Sequence, residues 1–456
     1  MPELTCFKAY DIRGRLGAEL NDDIATRIGR SFALVLGAQH VVVGRDGRAS
    51  SQGLANAVIA GLQAAGCAVS DLGLSGTEEM YFATTHLQAD GGITVTASHN
   101  PIDYNGMKMV RAGSAPLDAA SGLAAVKTMA EANSFPPAQP APPVRDASGT
   151  RAAYVERVLR FVDIAALRPL KILVNAGNGA AGPTFDAIAA ALLASGAPLE
   201  FIRLHHTPDA SFPNGIPNPL LAENQPVTAA ALLAAGADMA VAWDGDFDRC
   251  FFFDHQGRFI AGEYIVGLLA AAFLAKEPGA VIVHDPRVVW NTRDIVAAGG
   301  GRAIQSRTGH AFLKQALRDH AAAYGGEMSA HHYFRDFVCC DSGMIPWLLV
   351  AELMGRSGSS LAALVAERRT RFPSSGEINF ALPDPKAAMD RVLAVFARDA
   401  VLRDDTDGTS LEFPDWRLNL RRSNTEPLLR LNVEARGDAG LVAQMVAQIT
   451  ALIEQA

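Results

Sequence analysis

Asp244, Asp246 and Asp248 alternate in the stretch DGDFDR, directly after the apolar run MAVAW. In an extended segment, residues two apart face the same way. Three carboxylates held side by side repel one another unless a cation sits among them. A donor set made only of oxygens suits Mg2+, which takes a few carboxylates together with a phosphate oxygen. The plain alternative is a solvated acidic loop. Position weakens it, because ligands of α/β sheets gather at the carboxyl ends of strands. A calcium-binding EF-hand is excluded: its sixth and twelfth positions need Gly and Glu, and here they are Arg249 and His255.

A second cluster lies in TVTASHNPIDYNG (94–106), where the apolar run GGITV ends shortly before Ser98. Taken alone, Ser98 reads as a turn or capping residue sooner than as a nucleophile. Neighbours on a strand end point opposite ways, which makes His99 a poor base for it. Lys108, in NGMKM, offers a charge that could screen a phosphate or assist proton transfer. In RRSNTEP (421–427), Arg421 brings a planar donor fork, Ser423 and Thr425 hydroxyls, and Asn424 an amide. The N–H groups of such a turn can form an anion nest, although a plain polar hairpin reads equally well. In GEMSAHHYF (326–334), Glu327 and Ser329, two apart, could share a face suited to a pair of sugar hydroxyls, although an ordinary polar loop reads equally well. His331 continues that face and could move a proton near neutral pH. Tyr10 and Arg13 in YDIRG, and His310 in RTGH, say little singly.

The elements that must carry these residues alternate. HVVVGRD, KILVNAGNG and AVIVHDP read as strands, while SQGLANAVIAGLQAAG and TFDAIAAALLASG read as helices. Strand, loop and helix in turn predict α/β layers with mixed, mostly parallel sheets. A linker with five prolines, SFPPAQPAPPVRDASGT (134–150), marks the end of the first domain. The last segment, WRLNLRRSNTEPLLRLNVEAR, predicts two strands and a turn, followed by a helix in a smaller α+β domain. The expected domains are 1–145, 146–255, 256–368 and 369–456.

Composition narrows the classes further. A chain of 456 residues is too long for one core. With 49% hydrophobic and 19% charged residues it reads as a soluble globular protein. A net charge of −8 argues against a nucleic-acid partner, so any anion site must be local. The five cysteines show no metal-ligand spacing and suit a reducing compartment. No targeting pattern is evident, and the Ala-rich runs break before they reach a membrane span. The expectation is a cytoplasmic protein without membrane attachment.

TASHNP, DGDFDR, GEMSAHH and RRSNTEP, in that order along the whole chain, resemble the α-D-phosphohexomutase superfamily. The likeness is closest to its bacterial phosphomannomutase/phosphoglucomutase branch. The resemblance implies four domains around a central cleft, three with a similar α/β core and a smaller C-terminal α+β domain. Ser98 matches the family's phosphorylated serine, and its phosphate joins Asp244, Asp246 and Asp248 in holding Mg2+. Glu327 and Ser329 match the sugar-recognition loop, and Arg421, Ser423, Asn424 and Thr425 the phosphate-binding loop. Tyr10, Arg13, His99, Asn100, Lys108, Arg249, Arg287 and His310 match the cleft lining. Arg287 stands where many members carry lysine. Lys108 and His331 are the acid/base candidates.

The implied enzyme is an isomerase acting on small hexose phosphates, of glucose and mannose alike. It works through glucose 1,6-bisphosphate or its mannose counterpart as intermediate and activator, and a monomer is expected. One rival is a Mg-dependent phosphatase using the same serine, for which a second anion site would be superfluous. The other is a non-catalytic sugar-phosphate binding protein, which would not need Ser98, the three aspartates and His331 together.

Overall fold

The structure, a computed structural model, describes residues 3–422 and 428–455. The apolar runs become fully buried strands, GGITV at Gly91–Val95 and MAVAW at Met239–Trp243. The helix Asp22–Leu36 shows how local chemistry sets the ends. The Asn21 side chain accepts the Ile24 N–H at 3.0 Å, and Asp22 and Asp23 occupy the first turn. Negative charge is favoured there by the helix dipole. Gly37, at φ +62°, closes the other end. Ile24, Ile28 and Phe32, four residues apart, form the buried face.

The chain forms two compact units, Met1–Phe259 with His331–Gly358, and Ile260–Ala330 with Ser359–Ala456. In the first unit one sheet runs Ile12–Arg15, Tyr104–Arg111, Gly91–Val95, His40–Arg45, Ala68–Leu74, Val144–Asp146. Its last four strands are parallel and its first two antiparallel. A second sheet orders Cys250–Asp254, Met239–Trp243, Leu170–Asn175 and Leu199–Leu204, with a parallel core. The hairpin of His332–Phe334 and Cys340–Asp341 and the helix Met344–Ser357 belong to this unit as well. Glu78 accepts the Gly343 N–H at the start of that helix at 2.6 Å and bonds the Tyr154 hydroxyl. Burial pushes its carboxyl up to about 8.

The proline-rich stretch is more than a linker. Gln139 donates its N–H to the Ala64 carbonyl at 3.1 Å, Gln63 reaches the Pro142 carbonyl, and Val144–Asp146 adds a parallel edge strand. Prolines lack an N–H to donate and so suit a segment lying along an edge.

In the second unit, Arg302–Gln305, Val281–His284 and Tyr324–Gly326 pair in parallel. Behind the helix Leu361–Arg371 comes the smaller C-terminal sheet, Ser374–Ala381, Leu428–Ala435, Trp416–Arg422, Thr409–Glu412 and Leu402–Asp404. It is antiparallel throughout. The helices Pro385–Phe396 and Ala439–Ile453 supply part of its core through Val392, Val442 and Ile449. Among the described residues, all five cysteines are free thiols, and no single helix is long and apolar enough to cross a membrane.

Candidate active site

Gly91–Val95 runs parallel to His40–Arg45, and both deliver their carboxyl ends to one place. The chain leaving the first strand is held by a relay. The Ser98 N–H donates to Thr96 Oγ1 at 2.8 Å, and Thr96 Oγ1 donates to Asp46 Oδ2 at 2.8 Å. Arg48, 2% exposed, then gathers the loop from below. Its guanidinium donates to the carbonyls of Ser98 and Pro101 at 2.9 Å each, Asn100 at 2.5 Å and Tyr104 at 3.2 Å. Sequence reasoning passed over Arg48, although it stands just past the carboxyl end of a parallel strand, the one available signal. Arg48→Met is expected to lower kcat by roughly ten- to a hundredfold by loosening this loop. Faster amide exchange over 98–104 should accompany the loss, and unchanged exchange would refute the bracing role.

Ser98 itself is buried and sits at φ +50°, in the left-handed region. That corrects the expectation about His99. Strand alternation fails at a left-handed residue, and Ser98 Oγ lies 3.0 Å from His99 Nδ1. Ser98 Oγ also donates to Asp244 Oδ2 at 2.6 Å, a contact spanning 146 residues.

The aspartate trio also converges by a route other than the expected one. Residues 244–248 form a turn, not a pleated segment, with the Phe247 N–H donating to the Asp244 carbonyl at 3.2 Å and Phe247 at φ +47°. Gly245 lets this turn touch the serine loop, since a Cβ there would lie 2.5 Å from the Ser98 carbonyl oxygen. Thr77 Oγ1 fixes Asp246 through Oδ2 at 2.5 Å. All three aspartates are fully buried, and one oxygen from each lies within 4.8 Å of the others. Oδ1 of Asp244 and of Asp246 accepts no hydrogen bond among the described residues. Buried carboxylate oxygens left in that state are costly unless a cation takes them. The set therefore fits Mg2+.

Lys108, on Tyr104–Arg111, reaches the same trio. Its Nζ is 2.7 Å from Asp246 Oδ2 and bonds Asp248 Oδ2 as well. Burial alone would lower the ammonium, but Asp246, Asp248 and Asp244 overcome it and hold Lys108 charged. Burial, then the Asp246 and Asp248 charges, pushes Asp244 up to about 7. Asp248 is held low against its own burial, chiefly by Lys108 and then His331. Burial, with Arg249 and Arg13 adding to it, keeps His99 well below its usual range.

Arg249 pairs with His331 through an isolated antiparallel bridge. Arg249 Nε donates to His331 Nε2 at 3.4 Å, and the same nitrogen lies 3.3 Å from Asp248 Oδ1. That nitrogen can accept from Arg249 or donate to Asp248, never both at once. Arg13 bonds Asn100 Oδ1 and Asp11, joining two more of the expected residues to the loop. Tyr10 lies in the bend before Ile12–Arg15.

In the second unit, Arg287, Glu327 and Ser329 come together. Arg287 Nη2 is 3.6 Å from Glu327 Oε1 and 3.2 Å from Ser329 Oγ, and Arg287 Nε donates to Asp285 Oδ2 at 2.8 Å. Asp285 also accepts the Met328 N–H at 3.1 Å, which ties the two loops. Glu327 Oε1 accepts the Gly309 N–H at 3.0 Å, and His310 opens the helix His310–Asp319 next door. Arg421 joins Arg287 through Glu377, a residue that sequence reasoning missed. Ser423, Asn424 and Thr425 lie outside the described residues.

A buried serine beside a carboxylate cradle for a cation, with a lysine neutralising it, suits phosphoryl transfer, where catalysis is positioning and charge stabilisation. Comparison with known proteins defines the class. Residues 5–136, 152–257 and 261–372 match the α/β/α domains I, II and III of phosphoglucomutase/phosphomannomutase, and 377–452 its C-terminal domain. The chain belongs to the phosphoglucomutase/phosphomannomutase family. It is 58% identical over 460 residues to the phosphomannomutase of Salmonella montevideo, covering 99% of this chain and all of that one. It is 54% identical to a Xanthomonas campestris protein called phosphohexose mutases, over 99% of both chains. A solved phosphoglucomutase/phosphomannomutase family protein from Burkholderia thailandensis superposes with a TM-score of 0.87 at 32% identity, covering 100% of this chain and 98% of that one. The α/β fold class, the superfamily resemblance and the isomerase class expected from the sequence are borne out.

Proposed function

We propose that the chain interconverts hexose 1-phosphates and hexose 6-phosphates, of both glucose and mannose, through a phosphoserine at Ser98 and a hexose 1,6-bisphosphate. The observation that carries the reading is Ser98 Oγ at 2.6 Å from Asp244 in a cradle of three buried carboxylates. Mg2+ held by Asp244, Asp246 and Asp248 supplies, when bound, positive charge against the phosphoryl group. Lys108 and Arg249 add fixed charge beside it.

In the first half-reaction the sugar hydroxyl forms a bond to phosphorus as the bond from phosphorus to Ser98 Oγ breaks. The hydroxyl proton goes to a base of the chain, His331 in this reading. The electron pair of the broken bond stays on Ser98 Oγ, which regains a proton and becomes the free serine. The bisphosphate then presents its other phosphate to Ser98, and the same steps run backwards. Glu327 and Ser329 read two ring hydroxyls that glucose and mannose share, which supports acceptance of both sugars. Arg421 with Ser423, Asn424 and Thr425 grips the phosphate that is not reacting, and Arg287 and His310 stand beside the sugar loop. A monomer working in the cytoplasm completes the reading.

The test follows phosphorus. The protein is incubated with glucose 1-phosphate, Mg2+ and a trace of glucose 1,6-bisphosphate, and 31P spectra are recorded. A growing glucose 6-phosphate signal without inorganic phosphate is the expected result. Growth of inorganic phosphate instead would make the chain a phosphatase and end the mutase reading.

A further inference from the structure

Each aspartate of the trio has one oxygen held by the chain. Asp244 Oδ2 accepts from Ser98 Oγ at 2.6 Å, and Asp248 Oδ2 bonds Lys108 Nζ. Asp246 Oδ2 is held twice, by Thr77 Oγ1 at 2.5 Å and by Lys108 Nζ at 2.7 Å. Oδ1 of Asp244 and of Asp246 accepts no hydrogen bond among the described residues, and Oδ1 of Asp248 faces His331 Nε2 at 3.3 Å. The holds differ in permanence. Ser98 Oγ has no proton to donate in the proposed phosphoserine, so Asp244 is released in that state. Asp246 keeps both of its donors whatever Ser98 carries.

Thr77 is itself fixed from several sides. It is fully buried at the start of the helix Thr77–His86, and its N–H donates to the Asp246 carbonyl at 3.2 Å. One residue thus grips Asp246 by main chain and side chain together. The preceding Gly76 N–H donates to Glu79 Oε2 at 2.9 Å, and Glu79 is anchored by Arg151 Nε at 2.7 Å and Thr184 Oγ1 at 3.0 Å. A Cβ on Gly76 would lie 2.1 Å from Phe247 Cζ, so glycine lets the 244–248 turn seat directly on this loop. A hydroxyl so placed has little room to swing away, and the carboxylate it holds is kept from rotating.

Divalent cations differ in what they ask of a carboxylate. Mg2+ demands near-ideal octahedral geometry at about 2.0–2.1 Å, which the narrow bite of a carboxylate binding through both oxygens spoils. Ca2+ takes about six to eight oxygens at about 2.3–2.6 Å and accepts carboxylates through one oxygen or both. We infer that Thr77 is a positioning residue that sets the metal selectivity of this site: together with Lys108 it withholds Asp246 Oδ2, leaves Oδ1 as the one oxygen this carboxylate offers, and thereby favours Mg2+ over Ca2+. The inference deepens the proposed function and rests on its reading of the trio as a divalent-cation site. Lys108 alone is a weaker hold, because its ammonium is shared with Asp248 and rides on a flexible stem.

The experiment reads binding, not turnover. The full chain, freed of metal with EDTA and desalted, is titrated with Mn2+ while the free ion is followed by its electron paramagnetic resonance signal. Mg2+ and Ca2+ then displace the Mn2+ in separate runs, for wild type, Thr77→Val and Thr77→Ser. Thr77→Val should weaken Mg2+ about tenfold, the usual scale for losing a partner of a metal ligand. Ca2+ should weaken clearly less or not at all, because Asp246 can then turn both oxygens inward. Thr77→Ser keeps the hydroxyl and should keep the wild-type ratio of the two affinities. Thr77→Ala takes the place of the valine variant if that one fails to fold. Equal weakening of both cations would make Thr77 a brace for the turn and overturn the inference, as would unchanged affinities. A ratio lost in Thr77→Ser as well would overturn it too, since the hydroxyl would not be the cause. Failure of the wild type to take up Mn2+ would end the cation reading itself, whereas uptake with an unshifted ratio would end this inference alone.

Discussion

Ser98→Ala is expected to slow hexose-phosphate isomerisation by at least about a thousandfold, the scale on which loss of a covalent nucleophile registers. Ser98 Oγ is aimed at Asp244, at 2.6 Å, by a left-handed backbone that the Arg48 fan and the Thr96 to Asp46 relay hold in place. The loop's bracing runs through the Ser98 main chain, so the alanine variant should fold and melt much as wild type does. Kinetics and mass spectrometry check this together. The variant should neither turn over nor carry the 80-dalton phosphoryl increment (~80 Da for one phosphoryl group) after incubation with a hexose 1,6-bisphosphate. Turnover near the wild-type rate would remove Ser98 from the mechanism, whatever the fold.

Lys108→Met is the second large effect, and it falls on stability as well as on rate. The ammonium sits between Asp246 and Asp248 with all three groups buried. Removing one partner of a buried pair leaves an uncompensated charge and costs about 3–5 kcal/mol. Methionine has nearly the length of lysine and leaves no large cavity, so the loss reports charge, not packing. A divalent cation bound by the trio can restore part of the missing charge. Thermal denaturation in EDTA should therefore show a marked drop in midpoint, and Mg2+ should raise the variant's midpoint by more than it raises that of wild type. Equal melting of variant and wild type in EDTA would mean that Lys108 does not balance the trio. The rate should fall too, since fixed positive charge beside the phosphoryl group is lost.

Much of this protein could be read without coordinates. Apolar runs that lead to Asn-Pro, Asp-Gly or Asp-Pro predict the strands Gly91–Val95, Met239–Trp243 and Val281–His284, and each is there. Hydrophobic periodicity and turn chemistry are local properties, and local properties are written along the chain. The candidate residues in TASHNP, DGDFDR and GEMSAHH were legible for the same reason: each stands where a strand hands over to a loop. Tertiary structure decided how they meet. Ser98 and Asp244 are 146 residues apart and Lys108 and Asp246 are 138, and they belong to two different sheets that meet only in the folded first unit. His99 reaches Ser98 because a single residue turns left-handed, which no alternation rule foresees. Arg48 matters because its guanidinium meets four carbonyls of a loop half a hundred residues on, and Glu377 because it links Arg287 to Arg421 across 90 and 44 residues of chain. Side-chain identity and spacing set which chemistry is available, since they depend on the neighbouring chain alone. Distance, burial and the sharing of charge depend on loops that topology brings together, and those were decided only when the chain folded.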